Sequence, residues 1–192
     1  MEYWNCGANG RSGARGGNMT DKEIATRLRR LEDREEIRVL VALYSKHVDD
    51  HDFSALATLW APDARYSWKD SPDVTIGGEK VAALLKSRIE PTGPSFHVNH
   101  DHVIEFGDDP DHATGLVCAH AETSGPTGQN MAAIRYHDRY VRHGGQWKFA
   151  ERALAFLYFT PVGDYHEIMR AEHRMRLPNG KTLLAHWPTF QS

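Results

Sequence analysis

Residues 43–64 read LYSKHVDDHDFSALATLWAPDA, and the first part of that stretch ends a helix. Upstream, Ile24, Leu28, Leu31, Ile37, Val41, Tyr44 and Val48 recur mostly at three- and four-residue steps, the period of an amphipathic helix. Thr20-Asp21-Lys22-Glu23 has capping-box spacing, so the helix is predicted from about Thr20 to about Val48. Asp49, Asp50 and Asp52 crowd its end. A short second helix is predicted over Ser54 to Ala61, stopped by Pro62, then a strand over Ala64 to Trp68. Gly77-Gly78 precedes a third helix, Glu79 to Arg88, with Val81, Leu84 and Leu85 on one side.

The second half changes character. Phe96 to Phe106 alternates, with Phe96, Val98, Ile104 and Phe106 on one parity and His97, Asn99 and Asp101 on the other. Extended runs follow over Ala113 to Glu122, Asn130 to Arg142 and Trp147 to Phe159, the last two joined by a turn at His143-Gly144-Gly145-Gln146. Helices first and long antiparallel strands later predict an α+β fold. Residues 1–18 hold five of the 16 glycines without apolar period and are predicted to be a disordered tail. That leaves a domain over 19–163 and an extension over 164–192 that is expected to cover the domain's pocket or a neighbouring subunit.

Composition excludes several classes. The 192 residues carry 23 Lys and Arg against 26 Asp and Glu, a net charge of -3. That balance argues against a nucleic-acid binder, which needs a basic face. No apolar stretch reaches the ~18 residues of a membrane span. No leader-like apolar core precedes the first helix, and a cytoplasmic location is expected. Two cysteines, Cys6 and Cys118, make neither a disulfide framework nor a cysteine-rich metal site. Twelve histidines direct attention to acid–base or metal chemistry.

Three places could carry chemistry. Tyr44 and Asp49 lie at the end of the first helix, where a carboxylate meets the unfavourable end of the helix dipole. The run His97-Val98-Asn99-His100-Asp101-His102 invites a metal, but strand alternation separates His97 from His100 and His102 unless a bulge intervenes. With no third ligand at motif spacing, neither metal nor cofactor is expected. His120 and Arg152 sit on later strands in apolar context, and a buried Arg there must pair with a carboxylate or face a polar cavity.

Leu43-Tyr44-Ser45, Val48-Asp49-Asp50-His51-Asp52-Phe53, Leu56-Ala57-Thr58-Leu59-Trp60 and Pro62-Asp63-Ala64 resemble the opening of SnoaL-like proteins of the nuclear-transport-factor-2-like superfamily. Phe96-His97 ahead of Val103-Ile104-Glu105-Phe106 resembles the family's histidine strand. Gly145-Gln146-Trp147-Lys148-Phe149 with Tyr158-Phe159-Thr160-Pro161 resembles its last strand. The resemblance covers about residues 25 to 162. It implies a cone (cystatin-like): a curved antiparallel sheet wrapped around the long helix, with three helices and a pocket at the open end.

Carried over residue by residue, the resemblance to the family's dehydratases and dehydrochlorinases implies a catalytic Asp at Asp49 and a catalytic His at His97. Tyr44, His120 and Arg152 would assist the leaving group, and Trp60, Trp68, Phe96, Tyr136 and Phe156 would line an apolar pocket. The activity implied is a cofactor-independent lyase, most simply a dehydratase, acting on an aromatic or polycyclic small molecule. Formaldehyde loss from lignin-derived diarylpropanoids is a further lyase chemistry of the superfamily. An isomerase on the same dyad and a non-catalytic binding module are the alternatives. A homo-oligomer is expected, with a trimer favoured by analogy. The residues themselves also point to assembly, because the strands from Asn130 to Phe159 are apolar at both parities and both sheet faces need covering.

Overall fold

The computed structural model describes residues 19–125 and 128–187. The stretch predicted as a tail, 1–18, lies outside the described residues. The chain divides into two units, Met1–Glu32 and Asp33–Ser192. In the first, the capping box forms: Glu23 accepts from the Thr20 backbone N–H at 2.8 Å, and Thr20 Oγ1 accepts from the Glu23 N–H at 3.3 Å. Helix α1, Asp21–Asp49, begins there.

In the second unit, the residues of α1 that turn inward are Asp33, Ile37, Leu40, Val41, Tyr44, Ser45 and Val48. The helix stops because the chain turns left-handed at His51 (φ 54°), where Asp52 N–H bonds back to the His47 carbonyl at 2.9 Å. Glycine usually fills this position. Asp52 then accepts from Ala55 N–H at 3.0 Å and caps α2, Phe53–Ala57. The two aspartates of the Asp-x-x-Asp element therefore do different work: Asp49 ends one helix and Asp52 starts the next.

Helix α2 is shorter than its sequence pattern predicts. Strand β1, Trp60–Trp68, already begins at Trp60, which pairs with Phe149 in a neighbouring strand. Leu56, Leu59, Trp60 and Ala61 are all buried, and extending the chain at Trp60 serves that burial better than another helical turn that Pro62 would end. Strand β2, Thr75–Ile76, and α3, Gly78–Ile89, follow. Gly78 must be glycine, because a Cβ there would lie 2.5 Å from the Ala61 carbonyl oxygen.

Four long strands build the rest: β3, Ser95–Phe106; β4, His112–Gly125; β5, Gly128–His143; and β6, Gln146–Pro161. They pair antiparallel in sequence order, and β1 adds to β6 in parallel, giving the order β2-β1-β6-β5-β4-β3. Gly144 and Gly145 take positive φ (60° and 80°) in the β5–β6 turn, as a two-residue hairpin requires. The architecture of the second unit is the α+β arrangement expected, the α1 segment from Asp33 against a curved open sheet. Register shifts at Asn99/His102, Ala133/Ile134 and Arg139/Tyr140 supply places where the sheet bends.

The extension continues from the end of β6. A 3-10 turn, Val162–Asp164, leads into a fourth helix, α4, Tyr165–Ile168. Then β7, Met175–Arg176, pairs with β6, and β8, Thr182–Leu183, pairs with β7. Ile168 and Met175 are fully buried. Arg174 ties the segment together by donating to the carbonyls of Leu157, Ala171 and Trp187.

Candidate active site

Asp49 is the last residue of α1, and His97 is the third of β3. His97 Nδ1 lies 2.6 Å from Asp49 Oδ1. The same carboxylate accepts from the His97 backbone N–H at 2.8 Å and from Ser95 Oγ at 2.8 Å. Burial alone would raise the Asp49 carboxyl, but the hydrogen bonds from His97 and Ser95 hold it below its ordinary value. An ionised carboxylate only accepts, so Nδ1 donates its proton to Asp49, and in the neutral imidazole Nε2 is then the nitrogen with the lone pair. These donors also compensate the poor position of a negative charge at a helix C-terminus.

One helical turn before Asp49, Ser45 Oγ accepts from Asn99 Nδ2 at 2.9 Å. Asn99 is two residues after His97 on the same face of β3, so two clasps fix the strand against the helix. The sequence pattern did not single out Ser45, Asn99 or Ser95. Their only sequence signal is spacing: Ser45 is four residues before Asp49, and Ser95 and Asn99 are each two residues from His97.

The predicted parity of β3 is corrected by a bulge between Asn99 and His102. His97, Asn99, His102, Ile104 and Phe106 turn towards α1, while Phe96, Val98 and Val103 are exposed on the other side. Phe96 is 62 % exposed and faces away from the dyad, contrary to its expected place in the pocket lining. His100 also lies on the outer face, where its Nε2 meets His120 Nδ1 at 2.7 Å. His120 stands opposite Val98 and is exposed. The inner positions of β4 beside His97 are Ala119 and Ala121. His120 thus pairs with His100 and not with the dyad, and the three histidines of the β3 run are divided between two faces.

Tyr44 and Arg152 meet each other. Arg152 is fully buried, with Tyr44, Tyr136 and Phe149 rings packed on its guanidinium at 4.2, 4.2 and 4.3 Å. Asp138 neutralises it with two hydrogen bonds, of 2.9 and 2.7 Å. Tyr140 donates to Asp138 at 2.8 Å, and His102 Nε2 lies 3.1 Å from the same phenol oxygen. The Tyr140 proton is committed to Asp138, so His102 is the donor in that contact. Burial raises the Tyr44 phenol above its usual value, against the opposing pull of Arg152. No hydrogen bond among the described residues links Tyr44, His120 or Arg152 to the dyad.

Of the predicted lining, Trp60 and Tyr136 belong to this closed core, at 5 % and 2 % exposure. Phe156 lies on the inner face in the row Asn99–Ala119–Ile134–Phe156, next to the row His97–Ala121–Ala132–Phe159. The floor beside His97 is therefore small and apolar. Trp68 packs edge-on against Phe156 (5.8 Å) and lines a cavity of about 530 Å³ against α3.

Residues 29–153 match the SnoaL-like domain. The chain belongs to that family, within the nuclear-transport-factor-2-like superfamily. No curated protein matches it. Among solved structures it is similar to LinA, with 26 % identity over 71 % of this chain and 94 % of that one, at a TM-score of 0.66. It is similar to a type 2 hexachlorocyclohexane dehydrochlorinase (LinA), with 25 % identity, 70 % and 92 % coverage and a TM-score of 0.64. An NTF2-like protein with a cystatin-like fold from Novosphingobium aromaticivorans gives 27 % identity, 73 % and 92 % coverage and a TM-score of 0.60. Among the described residues, no helix is long and apolar enough to cross a membrane.

Proposed function

We propose that the protein is a cofactor-independent lyase, most simply a dehydratase, acting on an apolar aromatic or polycyclic small molecule through Asp49 and His97. The observation that carries this reading is the 2.6 Å contact between His97 Nδ1 and an Asp49 carboxylate that also holds the His97 backbone N–H. Asp49 fixes the tautomer and stabilises the imidazolium; His97 Nε2 removes a C–H proton next to an activating group. The β hydroxyl departs with a proton, leaving a double bond and water. The imidazolium can supply that proton itself, so the chemistry balances without a hydrogen bond from Tyr44, His120 or Arg152 to the dyad. The apolar floor of Ala119, Ala121, Ala132, Ile134 and Phe156 suits an apolar ligand.

Isomerisation is the second reading, favoured by the dyad's having no hydrogen bond to Tyr44, His120 or Arg152 among the described residues: proton removal and return at another carbon needs one base and no leaving-group acid. The discriminating experiment incubates the full chain with a substrate panel in deuterated water and follows mass. Loss of water, halide or formaldehyde that vanishes in His97→Ala supports the lyase. Deuterium gain without mass loss supports the isomerase. Undiminished turnover in His97→Ala overturns both.

We also infer a homo-oligomer, with a trimer favoured. Phe96, Val98 and Val103 leave apolar surface on the outer face of β3, 62 %, 37 % and 46 % exposed, which a second copy would cover. Light scattering showing one chain per particle would overturn the assembly; a dimer would overturn only the trimer.

A further inference from the structure

The cavity of about 530 Å³ lies between β1, the loop 69–74 and α3. Its volume falls in the range of about 300–1,000 Å³ common for small-molecule sites. Its walls are Tyr66 and Trp68 from β1, Ser71 and Asp73 from the loop, and Leu84 and Arg88 from α3. Leu84 and Arg88 are four residues apart, so both project from one side of the helix. The walls are fixed. Lys69 N–H donates to the Leu154 carbonyl at 2.8 Å, and Asp73 N–H donates to Ser71 Oγ at 3.1 Å. Trp68 is held edge-on by Phe156 and by His186 of the extension, at 5.8 and 6.3 Å.

Arg88, exposed on α3, is the one basic residue of the lining. Lys86, two residues earlier, pairs with Glu90, while the described residues give Arg88 neither hydrogen bond nor ion pair. Tyr66, at the same cavity, is buried to 5 % exposure, and burial pushes its phenol well above the usual value, so it stays neutral and does not act as a counter-ion to Arg88. Asp73 is the one carboxylate of the lining and stands on the loop side. A ligand that complements this arrangement carries its negative charge at the α3 end and an apolar ring against Trp68.

We propose that this cavity binds an aromatic carboxylate, with Arg88 as the carboxylate anchor and Trp68 as the ring wall. Arg is the side chain suited to this task because its planar fork matches a carboxylate in two parallel hydrogen bonds. None of the residues lining the cavity belongs to the dyad, so binding of the acid here is separate from the lyase reading. Binding itself is tested apart from turnover.

Isothermal titration calorimetry on the full chain compares 2-naphthoate with the neutral 2-naphthamide. The acid is expected to bind about tenfold more tightly, the scale of one charge-assisted bidentate contact. Arg88→Gln should bring the acid to the level of the amide, and Arg88→Lys should keep part of the difference. The double variant Asp49→Asn/His97→Ala should leave the acid's affinity unchanged. Equal binding of acid and amide, no binding of either, or full affinity in Arg88→Gln would overturn the proposal. Loss of acid binding in the dyad variant would also overturn it, by placing the anion at His97. Failure of the lyase reading would appear as absent turnover with these binding results intact.

Discussion

Arg152 and Asp138 stand directly opposite each other across the β5–β6 pairing and form a two-pronged ion pair in which neither side chain has exposed surface. Removing a charge from water costs several kcal/mol per ion, and two hydrogen bonds to Asp138 offset that cost, although Arg152 Nη1 stays buried without a hydrogen-bond partner. Tyr140 completes the shell on Asp138, and three aromatic rings close over the guanidinium. Asp138→Asn or Arg152→Met alone strands a buried group and is expected to cost about 3–5 kcal/mol in urea unfolding. Replacing both, as Asp138→Leu with Arg152→Met, should cost less than either single change.

Asp49→Asn keeps the shape of the dyad but offers His97 a neutral amide. Turnover is expected to collapse in Asp49→Asn and in His97→Ala, while circular dichroism shows the fold retained. Because the two act as a unit, the double variant should be about as inactive as the worse single one. Asp49 also has its folded pKa below the unfolded value. The stability it gives is present above the unfolded value and lost as pH falls through the folded one. Asp49→Asn should remove that part of the acid sensitivity.

His102 is pulled down from 6.5 to about 4, chiefly by burial, with Arg152, Arg38 and Arg34 adding to the effect and Asp138 opposing it. Between these values the unfolded chain binds a proton that the folded chain refuses, so stability rises with pH across that window. His102→Gln is expected to flatten the unfolding free energy between pH 6.5 and about 4 by up to one proton's slope. An unchanged slope in urea titrations across that window would count against this account.

Gly115 sits under the His102–Tyr140 contact. A Cβ there would lie 2.7 Å from the Tyr140 ring and 3.0 Å from His102 Nε2. Gly115→Ala must push the tyrosine off Asp138, and a loss of about 1–3 kcal/mol is expected, measured by thermal unfolding. Gly163→Ala, with open space at its Cβ, is the neutral control.

The extension is expected to be part of the folded unit. His186 Nδ1 accepts from Phe156 N–H at 3.1 Å, His186 N–H donates to the Phe156 carbonyl at 2.9 Å, and Arg135 stacks on Trp187 at 3.9 Å. Burial lowers the His186 pKa, which keeps Nδ1 available as an acceptor. Truncation after Gly163 should lower the melting temperature and expose Trp68 and Phe156, read by fluorescence. A shortened chain with unchanged melting, assembly and activity would make the extension an appendage.

Much of this was legible along the chain. The three- and four-residue spacing from Ile37 to Val48 reports one helix face, and Gly144-Gly145 can only be a tight turn, because these are local constraints. The Asp49–His97 pairing was legible through the family resemblance: residues 48 apart carry no local sign that they touch. Three features were decided by tertiary structure alone. The bulge after Asn99 inserts a residue into β3, and since side chains alternate with period two, that one residue turns Phe96 and Val98 outward while keeping His97, His102 and Ile104 inward. The strand register set Asp138 opposite Arg152, which the sequence left as a choice between a carboxylate partner and a polar cavity. The same register put His120 on the outer face with His100. Propensity and periodicity fix which residues are extended or helical. Register and bulges fix which face each one meets, and those depend on pairing energies summed across the whole sheet.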